Sequence, residues 1–115
     1  MPSAQADIPE VIAYIKTSTA VTANTALTAA KYAANQLPQL PPSGAFTVNV
    51  TVAVDVAMTM TAIINSQNVT LNSGANLVAN SLMTFAFQLA SGDTLNFQFG
   101  GSNNVLYLLV TASGS

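Results

Sequence analysis

All the charge in this sequence sits on six side chains: Asp7, Glu10, Asp55 and Asp93 are acidic, Lys16 and Lys31 basic. Any acid–base chemistry, ion binding or phosphate recognition would have to be built from them. Asp7 and Glu10 stand three positions apart just before an apolar run, the spacing of a helix capping box rather than of a catalytic carboxylate pair. Asp93, in Ser91-Gly92-Asp93, reads as a turn residue whose carboxylate bonds its own backbone. Asp55 falls in mid-strand, on the polar side of a long alternating segment. It reads as a solvated or bulge residue, or as a partner for Lys16, Lys31 or a neighbouring subunit that fixes strand register. A calcium site needs several oxygen ligands, and no second carboxylate lies near Asp55 in the chain.

The sequence has no histidine and no cysteine. The commonest zinc ligands, the usual general base at neutral pH and every Ser-His or Cys-His arrangement are therefore missing. No enzyme, no cofactor and no metal site is expected. Nucleic acid is not an expected partner either, because phosphate contacts need several cations and the chain has two lysines and no arginine. Gly100-Gly101 precedes Ser and Asn rather than a helix, so it is no phosphate loop. Asn49-Val50-Thr51 and Asn68-Val69-Thr70 match the N-glycosylation triplet, which arises easily in a chain rich in Asn and Thr.

What remains is a neutral, apolar polypeptide of 115 residues, enough for one domain with one core. Charged residues are 5% of the chain, against about 25% in an ordinary soluble domain. Apolar residues reach 50%, yet Thr, Asn and Ser interrupt every apolar run, so no transmembrane segment is expected. High hydrophobicity with a net charge of −2 also argues against disorder. So little charge does little to hold copies apart, and assembly is expected. The opening Met-Pro-Ser-Ala-Gln-Ala-Asp has neither a cationic nor an apolar signal region, so no secretory signal is expected there.

The elements divide in two. Residues 1–37 are expected to form an N-terminal helix or stem, with Asp7 as N-cap, Pro9 in the first turn, and Ile8, Val11, Ile12 and Ile15 on one face. The threonines at 17, 19, 22, 25 and 28 weaken that helix, which would need packing to persist. Residues 38–44, with Pro38, Pro41 and Pro42, form a linker. Residues 45–115 are expected to fold as a β-sandwich. Over 46–60 every even position is apolar, from Phe46 to Met60, which gives an extended strand with one dry face. Such a strand would reach about 50 Å, so a bend or bulge is expected near Asp55, where the chain passes between sheets. Turns are expected at 65–68 and 72–74. A hairpin is expected from Met83, Phe85, Phe87 and Leu89 to Leu95, Phe97 and Phe99, with the phenylalanines in the core. Residues 105–110 are apolar throughout, so both faces of that strand should be covered.

From Met83 to Val110 the order is strand, Leu89-Ala90-Ser91-Gly92-Asp93-Thr94-Leu95, strand, loop and apolar terminal strand. It resembles the end of a C1q or tumour-necrosis-factor-like jelly roll, a head domain also found in viral spikes, turrets and coat proteins. The resemblance covers about a quarter of the chain. The long preceding strand and the missing aromatic and charged positions depart from that family. It implies a jelly roll and a trimer, and carries over no binding residues.

The expected fold is thus mainly β, an antiparallel, jelly-roll-like sandwich behind one α-helix. The expected role is that of a non-catalytic structural protein that assembles with itself and with other virion or filament subunits, in a virion or an extracellular surface structure. A carbohydrate-binding or adhesion module, with a glycan or receptor as partner, is the alternative. The oligomer interface is expected at Ile8, Val11, Ile12, Ile15 and Leu27 of the helix and at Val105, Tyr107 and Leu109 of the terminal strand. With so few titrating groups, little proton-linked change in stability is expected.

Overall fold

The computed structural model describes residues 10–27, 45–90 and 92–114. The described chain forms β1 (Glu10–Ile15), β2 (Thr19–Ala20), β3 (Ala45–Val54), β4 (Met60–Ile64), β5 (Gln67–Thr70), β6 (Met83–Ala90), β7 (Leu95–Phe99) and β8 (Asn104–Gly114), with a short 3₁₀ turn at Asn72–Gly74. All the strand pairs are antiparallel. One sheet runs β1-β8-β3-β6, with β2 also on β8, and the other runs β5-β4-β7.

The alternation over 46–60 builds the core. Phe46, Val48, Val50, Val52 and Val54 point inward from β3 and are buried. Across the ladder, Ala112, Val110 and Leu108 of β8 lie opposite Val48, Val50 and Val52, and they are buried too. The second sheet contributes Met60 and Ala62 from β4 and Leu95, Phe97 and Phe99 from β7. Residues from both sheets join in one apolar cluster, which makes the fold a two-layered, sandwich-like β structure.

The long alternating segment does change sheets near Asp55. β3 ends at Val54 in the first sheet, and β4 starts at Met60 in the second. A bulge accompanies the change, since Ala53 faces Tyr107 but Val54 faces Val105. The extra residue, Leu106, increases the local twist and lets β3 leave the sheet. The turn at 65–68 tightens to Asn65-Ser66, both with positive φ (53° and 66°), joining Ile64 to Gln67. Two residues of this conformation match the twist of paired strands, and Asn tolerates it well.

Three expectations are corrected. Residues 10–27 contain no helix: Glu10–Ile15 is a strand on β8. The spacing of Val11, Ile12 and Ile15 that imitates a helical face comes from a bulge. The register shifts between Val11 and Ala13, so Ile12, Ala13 and Ile15 all reach the core. β-Branched Val and Ile suit that strand better than a helix. Asp7, Pro9 and the rest of 1–9 lie outside the described residues, as do 28–44 with the expected linker. Second, 10–27 is not a stem separate from the sandwich. β1 and β2 lie along β8, and then the backbone N–H groups of Asn24 and Leu27 donate to the carbonyls of Phe99 and Phe97 on β7. This segment crosses from one sheet to the other. Third, β6 and β7 are not a hairpin. β6 pairs with β3, while β7 pairs with β4 in the opposite sheet. Equal alternation in the two strands shows that each has a dry face, but not that they share a sheet.

Leu108 and Leu109 are chemically identical neighbours on opposite faces of β8. Leu108 is fully buried, while Leu109 is half-buried on the outside. Leu108→Ala is expected to lower unfolding free energy by about 2–5 kcal/mol, and Leu109→Ala by clearly less. Urea unfolding of both variants measures this, and a larger loss at Leu109 would contradict the phase of β8.

Candidate interaction face

The outer face of the first sheet is divided by chemistry. Leu109 of β8 lies between Tyr14 on β1 and Thr51 on β3, and Thr51 lies beside Thr84 on β6. The next row along the strands is Val11, Thr111, Asn49 and Ala86. The β1–β8 half therefore presents Val11, Tyr14, Leu109 and Tyr107. The β3–β6 half presents hydroxyls and amides, among them Thr47, Asn49, Thr51, Thr84 and Gln88. The Thr51 and Thr84 hydroxyls meet across the strands at 3.4 Å. Lys16 holds its Nζ 5.3 Å from the centre of the Tyr14 ring, a cation–π approach at the rim of the apolar half.

The carboxylates are structural. The Asp55 backbone N–H donates to the Asn104 carbonyl at 3.1 Å. In return Asn104 donates its backbone N–H to Asp55 Oδ1 at 2.9 Å and its Nδ2 to Oδ2 at 3.3 Å. Asp55 thus clasps the start of β8 where β3 leaves the sheet, and it fixes register through an amide rather than through Lys16; Lys31 lies outside the described residues. Asp93 accepts from the backbone N–H of Ala90 at 2.8 Å and from Asn65 Nδ2 at 2.9 Å. Asn65 Oδ1 in turn accepts from the Thr94 backbone at 3.1 Å. The turn bond expected of Asp93 is present, and Asn65 adds a tie from the β4–β5 turn that the sequence did not reveal. Among the described residues no three His, Cys, Asp or Glu side chains gather as metal ligands would. No helix among them is long and apolar enough to cross a membrane.

The expected interface residues fall into three groups. Ile12, Ile15, Leu27 and Val105 are buried in the chain's own core, so they are not available to another molecule without opening the sandwich. Val11 is exposed, and Tyr107 and Leu109 are half-buried on the outer face. Ile8 lies outside the described residues. Tyr14 belongs with the second group; its pairing with Leu109 becomes visible only once β1 is a strand. Of the glycosylation triplets, Asn49 is half-buried in a central strand and Asn68 is exposed on β5. A further apolar group, Val56, Val78 and Leu82, is exposed. The bonds from Leu77 to Met58 and from Asn80 to Val54 hold its two loops together.

Two outcomes are expected. Asp55→Ala strands the Asn104 N–H and is expected to cost about 1–3 kcal/mol, while Asp55→Asn retains an acceptor and costs less; equal losses in thermal unfolding would contradict the clasp. The Asn65 amide, and after it the Ala90 N–H, hold the Asp93 carboxyl below the usual carboxylate range. Its contribution is complete above the unfolded value of about 4 and disappears as pH falls through the lower, folded value. The Asp93 contribution to melting temperature is therefore expected to hold from pH 7 to about 4 and to be lost only below that; in Asp93→Asn the acid-side decline shrinks. Compared with known proteins, the chain matches no family model and no curated protein.

Proposed function

We propose that this chain is a non-catalytic, self-assembling structural subunit of a virion (capsid, spike or turret) or of a surface appendage, built on a jelly roll. The observation that carries the reading is the near absence of free charge on the described surface. Asp55 and Asp93 are tied to their own chain and Lys16 lies over Tyr14. Beside them is a face with Val11, Tyr14, Tyr107 and Leu109. A surface of this kind offers little electrostatic repulsion between copies and much apolar area to cover.

The strand pairing supports the jelly roll. β1 with β8, residues 21–27 with β7, β3 with β6, and β4 with β5 nest inside one another, as in one long hairpin rolled into two layers. Jelly rolls recur in viral coat and lectin domains, so the fold favours a shell or head role without dictating it. A closed ring of copies, a trimer first, fits the resemblance of residues 83–110 to trimeric heads.

The half-exposed Tyr14 and Tyr107 favour one second reading, a carbohydrate-binding or adhesion module, in which the rings would stack on sugars. A glycan array without hits would remove it.

Native mass by light scattering tests the first reading. The expected result is a trimer or larger closed form at micromolar concentration, and its mass should hold from about 0.05 M to about 1 M salt because few charges are there to be screened. A stable monomer would overturn it.

A further inference from the structure

The ends of each sheet differ in how they are guarded. Among the described strands, the edges of the first sheet are β1 and β6 and those of the second are β5 and β7. Residues 21–27 lie along β7. β1 is bulged, and its pairing is interrupted after Ile15 before β2 begins at Thr19. β5 is only four residues long. β6 is eight residues long, Met-Thr-Phe-Ala-Phe-Gln-Leu-Ala, and pairs with β3 from Ala45↔Ala90 to Val52↔Met83 with no shift. It has no lysine, proline or bulge, the devices by which edges usually resist further pairing.

The hydrogen bonds show which groups of β6 face outward. The Ala90 N–H donates to Asp93 Oδ2, and its carbonyl accepts from the Asp93 N–H, so neither turns toward β3. Antiparallel residues alternate between bonding their neighbour and facing away from it. With an unbroken register, Gln88, Ala86 and Thr84 therefore direct their N–H and C=O groups to the outer edge. On the inner side, Phe85 and Phe87 pack against the core yet remain half-exposed, because no described element covers that flank.

We propose that β6 is where a second copy of this chain adds, antiparallel, about a two-fold axis at Ala86, so that Phe85 of each copy lies beside the partner's Phe87. This rests on the self-assembly reading above and adds to it a two-fold contact, which by itself closes as a dimer and which joins one ring to another where a ring forms through a different surface. Opposed residues share a face, so the pairing must set odd residues against odd and even against even. Centring at Phe87 would place Thr84 opposite the partner's Ala90, whose groups Asp93 already occupies. Centring at Ala86 sets Thr84 opposite the partner's Gln88, and about six main-chain hydrogen bonds form. Both outer faces then match in Thr and Gln, and both inner faces in Phe. A strand without charge attracts no charged peptide, whereas its own copy meets it with neither repulsion nor mismatch.

The chain has no cysteine, so single thiols can report the register. In the proposed pairing the two Ala86 Cα atoms are about 5.5 Å apart, and the two Gln88 Cα atoms about 14 Å. Ala86→Cys is expected to give mostly covalent dimer with the shortest bis-maleimide, and Gln88→Cys several-fold less. Ala86→Pro removes only an outward N–H, and Gln88→Lys adds charge to the edge; each should at least halve the native mass while the circular dichroism of the sheets persists. If Ala86→Pro fails to fold, Gln88→Lys and the thiol pair decide. An assembled wild type whose mass survives Gln88→Lys, with equal crosslinking at 86 and 88, overturns the β6 interface alone. A monomeric wild type overturns the assembly reading with it.

Discussion

The β3–β8 ladder organises everything else. Among the described strands its two are the longest, and β1, β2 and β6 reach the sheet by pairing with one or the other. Val48, Val50 and Val52 on one side and Ala112, Val110 and Leu108 on the other form a continuous dry surface, over which the second sheet closes with Met60, Phe97 and Phe99. The ladder needs a defined end, because β3 must leave for the second sheet while β8 is still beginning. The Asp55–Asn104 clasp and the bulge beside it supply that end. A carboxylate in this role serves geometry, and the absence of buried polar or charged residues in the described core agrees with it.

The other constraint is solvation. With few ions available, the outer faces are wetted by Thr, Asn, Gln and Ser, side chains that alternate along strands without disturbing the inner row. Such groups hydrogen-bond to water or to one another, as Thr51 and Thr84 do, but they exert no long-range force. In the proposed assembly, approach between copies would be governed by shape and by outward-facing backbone, whose influence extends only a few ångströms. The same composition that keeps the interior dry leaves the exterior weakly discriminating, so in that assembly specificity would come from register.

Much of this was legible in the residues. The unbroken alternation over 46–60 marks both the long strand and its inner face, and its excess length marks a change of sheet. Asn65-Ser66 and Gly92 mark reversals because few residues tolerate their positive φ. What the sequence hid was partnership. Phe85, Phe87, Phe97 and Phe99 alternate alike whether they share a sheet or face each other across the core, and only the ladder to β3 or β4 decides. The region 10–15 misleads for a physical reason, since a bulge adds one residue to a period of two and yields a spacing that also suits a helix. On a helix Ile12 and Ile15 would share a contact face with Val11; on the bulged strand they lie in the core. The tie from Asn65 to Asp93 spans 28 residues and leaves no local pattern.

The pairing of β1 with β8 has a consequence in time. Tyr14 meets Leu109, and Val50 meets Val110, across stretches of chain that comprise most of the domain. During synthesis β1 and β3 emerge long before the strand that lies between them. Closing loops of that length is entropically slow, and the nascent valine rows must wait uncovered.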